Sequence, residues 1–490
     1  MTTTRMPDAT QAFEQARTLQ TPFCFLICLA LFSNFFFTTG HDWQRLLEVA
    51  ALTVVAIGSL MRPAGTRPIF LSSGAKPLAG FFLLGILGSI QAFSARHALF
   101  EVSIFFLLYV FALQIAREIE LGGNAVLLRL LQGVGAICAL HSLKFWVVYV
   151  TGLVFGTPLE VGDFIAGFSN IRFFNHTQTP ILPLLILLCC VTPPTSRLRW
   201  LWWSLTAYWW MAIFATSGRG TLVGMAGGCI AVALLRRRLA ISYIRTAVIS
   251  AALGLLAYVV FLVAIPILSG GSAFGAFAAV IERTAADPAS SRGLLWQRAA
   301  ELILAHPWFG VGPMHFAHYA GDLHTGAHPH DWIMQIACEW GIPAFLCLCT
   351  ALALSGRALL RAGRNLAQDD RLDQNICSAL VAGGATILVD GLVSGLFVMP
   401  QSQLAVVLYL GCAIGWCRGR AGHIAPDADA KPLRTYTAVR GMLTVVAAAC
   451  LVFVVWPDMA ARYRHDPWRP AVEALNEGTK WPRLWLAGYF

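Results

Sequence analysis

Apolar runs of about 16 to 28 residues recur along the whole length of this 490-residue chain. A stretch of about 20 apolar residues is long enough to cross the hydrocarbon core of a bilayer as a helix. Every backbone polar group must be satisfied inside that core, so repeated runs of this kind predict a bundle of membrane-spanning helices. Charged residues make up only 12% of the chain, against about 25% in an ordinary soluble domain, which excludes a soluble fold.

The apolar runs correspond to about thirteen predicted spans, and a merger of two close neighbours gives twelve. The predicted spans are 22–39, 46–61, 77–94, 98–116, 124–154, 178–193, 199–215, 220–235, 243–268, 332–355, 377–398, 402–417 and 438–456. The sixth is short, and the seventh and eighth are the close neighbours. The sequence therefore predicts an all-α polytopic integral membrane protein of about 12–13 transmembrane helices, with one long outer loop that contains an amphipathic helix.

The distribution of Lys and Arg orients these spans, because the short inner loops of membrane proteins carry the excess of positive charge. With the N-terminus placed in the cytoplasm, the inner regions hold 21 Lys and Arg residues, and the outer loops, without the C-terminal tail, hold 7. Residues 269–331 then form the outer loop between an N-terminal bundle of about nine spans (1–268) and the C-terminal spans (332–456). The tail, residues 457–490, is expected outside, where its Trp and Tyr residues favour the membrane interface. The polar N-terminus has no apolar core of its own, so we expect no cleaved signal peptide.

Neither the basic residues nor the cysteines indicate a further function. The formal net charge is +10, but the basic residues lie mostly in short loops between apolar segments, so we expect no nucleic-acid partner. All thirteen cysteines lie in or beside apolar segments. This placement is typical of small buried apolar residues rather than of disulfides or metal ligands.

The outer loop contains a helical pattern. Ser290 and Ser291 are suitable N-caps for a helix that begins at Arg292. Apolar residues recur at helical spacing within it: Leu294, Leu295, Ala299, Leu302 and Ile303. The pattern ends at His306–Pro307, and the glycines and proline at 310–313 force a turn. Such a helix lies on the bilayer or on the rim of the bundle, and a simple cover for the bundle fits the pattern equally well.

Three histidines precede the tenth predicted span, in the run His324-Thr-Gly-Ala-His328-Pro-His330-Asp331. A metal site is one interpretation, but no thiol or clear carboxylate set completes it apart from Asp322 and Asp331, and we favour no metal. For His324 an ordinary surface histidine is the simpler interpretation. His330 differs because it lies at the boundary of water and membrane, where a near-neutral pKa suits it to take a proton from a hydroxyl.

Further charged residues lie at the outer face or at membrane depth. Arg219, in the turn Thr216-Ser-Gly-Arg219-Gly220, has a planar guanidinium that fits diphosphate oxygens, although a single interfacial arginine is often only a snorkelling side chain. Lys144 and Asp390 lie within predicted spans, where ionisable residues are functional candidates and a mutual ion pair is the competing explanation. The chain has no P-loop, Gly-rich dinucleotide turn or outer Asp-x-Asp motif. A phosphorylated donor must then come from the bilayer, which fits transfer from a lipid diphosphate to a hydroxyl.

Three motifs, in this order, resemble those of the O-antigen ligase and polymerase superfamily of bacterial inner membranes. Arg219 in Ser-Gly-Arg-Gly resembles the family's arginine in an outer turn between two middle spans. Arg292 begins Arg-x-x-x-Trp, and Pro-x-x-Gly-x-Gly follows at 307–312, as in the long loop of the family. His330 begins His-Asp, and after nine further residues comes Gly341.

The third motif departs from the family pattern twice. The ligases have Asn, Ser or Gln after the histidine, where this chain has Asp331. They have Gly, Thr or Tyr at the last position of the motif, where this chain has Ala344. The departures leave His330 in place, and the length and layout of the chain are closest to the ligases of lipopolysaccharide assembly.

The resemblance implies a metal-independent, inverting glycosyl transfer without a cofactor. It implies undecaprenyl-diphosphate-linked O-antigen as donor and a sugar hydroxyl of the lipid A-core as acceptor, on the periplasmic face of the bacterial inner membrane. It further implies that His330 is the base that activates the acceptor hydroxyl, and that Arg219 and Arg292 bind the diphosphate. Position in the chain makes five other residues second-tier candidates: Arg172, His176, Lys144, Asp390 and His328.

Three alternatives stay open. An O-antigen polymerase uses the same donor but extends a second lipid-linked glycan, and a protein O-oligosaccharyltransferase uses a protein hydroxyl as acceptor. A transporter of lipids or solutes belongs to a different class, and it is motivated by the many spans and by Lys144 and Asp390.

Overall fold

The computed structural model describes residues 22–36, 40–61, 74–271, 273–274, 292–323, 326–367, 369–420 and 434–465. Several features of the sequence lie outside these ranges: the polar N-terminus, Ser290, Ser291, His324 and the aromatic residues of the tail.

Each predicted span coincides with at least part of a helix. The helices are α1 Pro22–Phe36, α2 His41–Met61, α3 Ala75–Gln91, α4 Ala95–Phe155, α5 Ile171–Val191, α6 Leu198–Thr216, α7 Arg219–Arg236, α8 Ile241–Ala257, α9 Ile265–Leu268, α10 Arg292–Ala305, α11 Phe316–Tyr319, α12 Trp332–Trp340, α13 Ile342–Arg364, α14 Arg371–Gly391, α15 Pro400–Arg420 and α16 Arg434–His465. A π-helical segment, Tyr258–Ala264, joins α8 to α9. The close neighbours at 199–215 and 220–235 are separate helices, α6 and α7.

Within the described ranges, six helical stretches are long and apolar enough to cross a membrane. They are His41–Met61, Ala95–Phe155, Ile171–Val191, Arg219–Leu268, Ile342–Arg364 and Arg371–Gly391. Three shorter apolar helices accompany them: Pro22–Phe36, Ala75–Gln91 and Gly441–Pro457. The prediction of an all-α polytopic membrane protein is confirmed.

Glycines interrupt two of the long apolar stretches. Gly123 in α4 has φ 62° and is not helical, and it separates the two spans predicted there. The prediction of one span at 332–355 is wrong as a single helix, because Gly341 (φ 85°, ψ 163°) ends α12 and begins α13. Residues with a side chain rarely adopt this backbone conformation, and a Cβ at Gly341 would lie 2.4 Å from the carbonyl oxygen of Trp308.

Close packing of α7 on α14 brings a buried carboxylate to the start of α7. Small residues let two membrane helices approach closely, and a Cβ at Gly224 would lie 2.9 Å from the backbone oxygen of Thr386. One turn earlier, a Cβ at Gly220 would lie 2.4 Å from Oδ1 of Asp390. Asp390 is fully buried and therefore lies beside the residue that follows Arg219.

The two ends of α7 and α14 define two regions. The site end is the end that carries Arg219 and Gly391, and the opposite end carries Arg236 and Arg371.

Candidate functional site

The loop helix α10 covers the site end with one apolar face. Leu295, Ala299 and Leu302 of α10 are buried, and they cluster with Phe316 of α11 and Cys338 of α12. The predicted amphipathic helix is confirmed, and its apolar face contacts protein. The interpretation as a cover is therefore correct for this face.

Two polar contacts fix α10 in place. Trp296 Nε1 donates a hydrogen bond to the carbonyl oxygen of Pro329 at 3.0 Å. Arg298 donates two hydrogen bonds of 3.0 Å to the carboxylate of Asp322. Arg292, at the start of α10, is thereby held relative to the segment that carries His330.

The predicted turn after α10 docks on the junction of α12 and α13. Val311 N donates to Cys338 O at 2.9 Å, and Gly312 N donates to Glu339 O at 3.0 Å. Gly310 has φ 67°, and a Cβ there would lie 2.4 Å from the backbone of Glu339. The second and third sequence motifs thus interlock through their backbones, and the glycines allow this close approach.

His330 lies directly before the N-terminus of α12 in a left-handed conformation, φ 58°. For a residue with a side chain this conformation costs about 1 kcal/mol. His330 N donates to His328 Nδ1 at 3.2 Å, and the two ring centroids are 4.0 Å apart. Asp331 is the N-cap of α12, because its Oδ1 accepts hydrogen bonds from Ile333 N at 2.8 Å and Met334 N at 3.2 Å.

Both departures from the ligase pattern have a structural role. Asn and Ser, which the ligases have in place of Asp331, are also N-cap residues, so Asp331 supplies the same kind of backbone contact. Ala344 is fully buried and packs in a small cluster with Phe81 and Trp340. Neither departure removes a group from the vicinity of His330.

Helix α5 holds the turn that presents Arg219. The Arg219 side chain is exposed at the start of α7, after Ser217 in the left-handed region, φ 57°. Asn175 Nδ2 donates to Thr216 Oγ1 at 2.8 Å, and Thr221 Oγ1 donates to Asn175 O at 3.1 Å. The side chain and the carbonyl oxygen of Asn175 therefore hold the two sides of this turn.

The prediction that Arg172 and His176 lie in a loop before the sixth span is wrong. Helix α5 begins at Ile171, so both residues lie in its first two turns. The polar residues 175–179 lowered the hydropathy of these turns, but they are buried against neighbouring helices. The span therefore begins seven residues earlier than the predicted 178–193.

Arg292 is the centre of a network of charges at the site end. Burial lowers the pKa of Arg292, the guanidinium groups of Arg172 and Arg219 lower it further, and Asp390 acts in the opposite direction. Such effects require near neighbours, so arginines from α5, α7 and α10 converge here. Arg292 Nε is buried and has no hydrogen-bond partner among the described residues. This excess of positive charge suits an anionic group that can accept several hydrogen bonds.

His330 lies within this network as a neutral ring. Burial lowers its pKa to about 3, with Arg292 and Arg172 as the next causes. The near-neutral value expected from the sequence is therefore wrong for this structure. At neutral pH the ring is uncharged, and it can accept a proton. His176 is buried beside the same groups and is electrostatically coupled to His330, Arg172 and Arg292.

Asp390 and Lys144 have separate partners. Asp390 Oδ2 accepts a hydrogen bond from Thr179 Oγ1 at 2.5 Å. Lys144 Nζ donates to Phe35 O at 3.0 Å and lies 4.9 Å from the ring centroid of Phe36. The two residues thus do not form the ion pair considered from the sequence. The structure brings Asp390, His176 and His328 to the three arginines and His330, and it places Lys144 apart from them.

Two residues of this region, Thr179 and Gly395, were not predicted. Thr179 belongs to a polar run within an apolar span, and that run was a detectable signal. Gly395 lies in the turn after α14, where a Cβ would lie 2.4 Å from Cε1 of His328. No local pattern predicts that contact.

No group of three or more His, Cys, Asp or Glu side chains is arranged to hold a metal ion in the part of the chain that the structure describes. All thirteen cysteines fall in that part, and each is a free thiol that is buried or half-buried. The site end brings together the three arginines, the histidines His176, His328 and His330, and the buried carboxylate of Asp390.

Residues 204–349 match the protein family described as O-antigen ligase. The matched stretch begins in α6 and ends in α13, so it contains Arg219, Arg292 and His330. No curated protein matches the chain.

Proposed function

We propose that the protein is an O-antigen ligase. The premise is the family match over residues 204–349, which confirms the resemblance to the O-antigen ligase and polymerase superfamily and indicates a glycosyltransferase-like membrane enzyme. It transfers O-antigen polysaccharide from undecaprenyl diphosphate to a sugar hydroxyl of the lipid A-core. It lies in the bacterial inner membrane with a cytoplasmic N-terminus. The site end and α10 face the periplasm, and the tail follows the periplasmic membrane surface.

In the proposed reaction His330 takes the proton of the acceptor hydroxyl while its oxygen attacks the anomeric carbon of the donor. A carbon–oxygen bond forms on the face opposite the diphosphate, and the bond from the anomeric carbon to the diphosphate oxygen breaks. Undecaprenyl diphosphate leaves with that electron pair, and the configuration inverts. Arg219 and Arg292 bind the diphosphate and stabilise the charge that develops on it. The step as written needs no metal ion and no cofactor.

The convergence of three arginines beside a neutral histidine is the observation that supports this proposal. Arg172 of α5 and Arg219 of α7 both lower the pKa of Arg292 of α10. Within the described residues Asp390 is the one carboxylate coupled to Arg292, so the positive charge exceeds the negative. Placing like charges together is unfavourable without an anion, and the guanidinium fork fits diphosphate oxygens.

Donor binding also prepares His330 to act as a base. Arg292 and Arg172 are two of the causes that lower the pKa of His330. A diphosphate bound to these arginines offsets their charge and raises the pKa of the ring again. A base is most effective when its pKa is near the working pH, so the histidine becomes effective when the donor is in place.

Deletion of the gene in its native host tests the reaction through the gel profile of the lipopolysaccharide. For a ligase we expect bare lipid A-core, with O-antigen polymer left on its lipid carrier. Core that bears a single repeat would show a polymerase instead. An unchanged lipopolysaccharide profile would contradict both and favour a protein acceptor or a transporter.

His330→Ala tests the role of the histidine in the purified enzyme. We expect transfer to be abolished while the protein inserts into the membrane and binds undecaprenyl diphosphate as the parent does. Turnover retained in this variant would remove His330 from the role of base. Transfer by the parent enzyme should continue in EDTA, and activity that is lost in EDTA and restored by zinc would overturn the metal-independent reaction.

A further inference from the structure

Two histidines, His328 and His330, lie side by side at the site end, and their surroundings differ. His328 is 4% exposed, whereas His330 is only partly buried. The ring centroids are 4.0 Å apart, with 52° between the ring planes. A choice between them as the reacting group depends on which ring nitrogens are accessible.

Neither ring nitrogen of His328 faces open space. Its Nδ1 accepts the hydrogen bond from His330 N at 3.2 Å, and an acceptor nitrogen carries no proton. Its Nε2 lies 2.6 Å from the position that a Cβ of Gly395 would occupy, and its Cε1 lies 2.4 Å from the same position. The ring is thus enclosed between the backbone of His330 and the turn after α14.

From these contacts we propose that His328 is a positioning residue that holds the left-handed backbone of His330 and so fixes the position of the His330 ring. This inference rests on the proposed function of His330 as the base. His328 itself takes no proton from the substrate.

The left-handed backbone of His330 needs such support. A residue with a side chain is less stable at φ 58° than in an ordinary helical or extended conformation. It persists only where surrounding contacts determine it. One contact is the hydrogen bond from His330 N to His328 Nδ1, and the other is the N-cap that Asp331 forms with α12.

The segment around His328 is itself held from two other elements. Trp296 of α10 donates to the carbonyl oxygen of Pro329, between the two histidines. The turn at Gly395 closes on the opposite face of the His328 ring. Because α10 also carries Arg292, these contacts connect the direction of the His330 ring to the position of an arginine that is proposed to bind the donor.

The test compares side chains that do and do not offer an acceptor where His328 Nδ1 lies. In His328→Asn the amide oxygen takes approximately the place of Nδ1, whereas in His328→Gln it reaches the place of Nε2. His328→Phe fills the space of the ring without any acceptor. His318→Phe is the matched control, because His318 is another histidine of the outer loop that stacks on an aromatic ring, that of Phe93 at 4.0 Å.

Initial rates of transfer with the purified full-length variants in detergent separate binding from turnover. We expect His328→Phe to lower kcat about 100-fold, which is typical when a reacting group is displaced by about 1 Å, with the donor KM changed less than about twofold. His328→Asn should retain kcat within about fivefold of the parent, and His328→Gln should resemble His328→Phe. The Kd for undecaprenyl diphosphate should be the same in all of these proteins.

Equal loss of kcat in the Asn and Gln variants, or full kcat in His328→Phe, would overturn the inference. If His328→Phe does not yield a monodisperse protein, the comparison of Asn with Gln decides alone. Gly395→Ala approaches the same ring from the other side, and we expect it also to lower kcat with little change in KM. Transfer retained in His330→Ala contradicts the proposed base, whereas loss in His330→Ala with full kcat in His328→Phe contradicts only the role of His328.

Discussion

Helix α14 carries a buried aspartate near each end, Asp373 at the opposite end and Asp390 at the site end, and their surroundings differ. Asp373 accepts hydrogen bonds from Asn124 Nδ2 at 3.0 Å and from Trp416 Nε1 at 2.8 Å. It also forms an ion pair with Arg420. Side chains from two other helices, α4 and α15, therefore converge on this carboxylate of α14, and its charge and its hydrogen-bonding capacity are used within the protein.

Asp390 is equally buried but less completely paired. Its Oδ2 accepts a hydrogen bond from Thr179, the hydroxyl of Ser394 also stabilises the carboxylate, and its Oδ1 has no hydrogen-bond partner among the described residues. The nearby Arg292 has a buried Nε without a partner in the same part of the chain. A buried polar group that is not satisfied within the protein lowers its stability, so Oδ1 of Asp390 and Nε of Arg292 leave hydrogen-bonding capacity for the ligand proposed at this end.

The same helix thus contributes to stability at one end and, in the proposed function, to chemistry at the other. At the opposite end, the hydrogen bonds and the ion pair of Asp373 join α14 to α4 and α15. At the site end, positive charges lie together and leave hydrogen-bonding capacity for an anion. Substitutions at the two ends should accordingly separate loss of folding from loss of activity.

The largest expected effect is on activity, from Arg292→Ala. Removal of one donor to a developing negative charge costs about 100- to 1,000-fold in kcat, and we expect a loss of that size. The melting temperature in detergent should stay the same or rise, because a buried guanidinium without a full set of partners is removed.

Arg129→Ala is the matched control for this experiment, since the Arg129 side chain is exposed and bonds to the carbonyl oxygen of Ala125 one turn earlier. A fall in melting temperature that accounts for the lost activity of Arg292→Ala would show that Arg292 is structural.

The next effect is on stability, from Asp373→Ala. The variant leaves Asn124, Trp416 and Arg420 without their common acceptor, and we expect it to cost about 3 kcal/mol of unfolding free energy. The yield of folded protein and its melting temperature should fall, while kcat per folded molecule stays unchanged. Asp369→Ala, at an exposed neighbouring position, should change the unfolding free energy by less than about 0.5 kcal/mol.

A loss of kcat in Asp373→Ala without a loss of stability would contradict the difference between the two ends, because both ends of α14 would then contribute to the reaction.

Helix positions were predictable from the sequence because membrane spans need long apolar runs. The prediction failed where polar residues are buried by other helices. Asn175, His176 and Thr177 delayed the predicted start of α5, because hydropathy assumes that a polar residue faces water. Gly341 lies within an apolar run, so hydropathy did not detect the break between α12 and α13.

The residues of the candidate site were proposed from the sequence, but their geometry was not predictable from it. Arg219, Arg292 and His330 were proposed from motif order and from their common expected placement on the outer face. The electrostatic coupling of Arg292 to Arg172, Arg219 and Asp390 depends on how distant segments pack. The roles of Gly395 and His328 depend on a backbone angle and a ring contact, and no spacing in the sequence specifies these.

A smaller effect on activity is expected from Arg219→Lys. Lysine keeps the charge but cannot reproduce the planar fork of the guanidinium, so we expect kcat to fall about tenfold, equivalent to about 1.4 kcal/mol. Steady-state transfer at saturating donor measures this change. Arg219→Ala should be clearly worse than Arg219→Lys, and near-normal activity in Arg219→Lys would argue against a bidentate contact with the diphosphate.

The smallest expected effect is the pH dependence of stability that His330 gives to the site end. Burial and the charges of Arg292 and Arg172 lower its pKa to about 3, from an unperturbed value of about 6.5. Below the unperturbed value the unfolded chain binds a proton that the folded protein does not, so protonation favours unfolding. The contribution of the neutral His330 ring to the free energy of unfolding is therefore complete above about pH 6.5 and is lost progressively as the pH falls toward about 3.

His330→Gln lacks this titration, so between pH 7 and pH 4 its melting temperature should fall by a few degrees less than that of the parent. Saturating undecaprenyl diphosphate should reduce the difference, because its negative charge makes a protonated His330 less unfavourable. Parallel pH profiles for the two proteins would mean that His330 is not held neutral by its neighbours, and the contrast between the two ends of α14 would then rest on Arg292 and Asp390 alone.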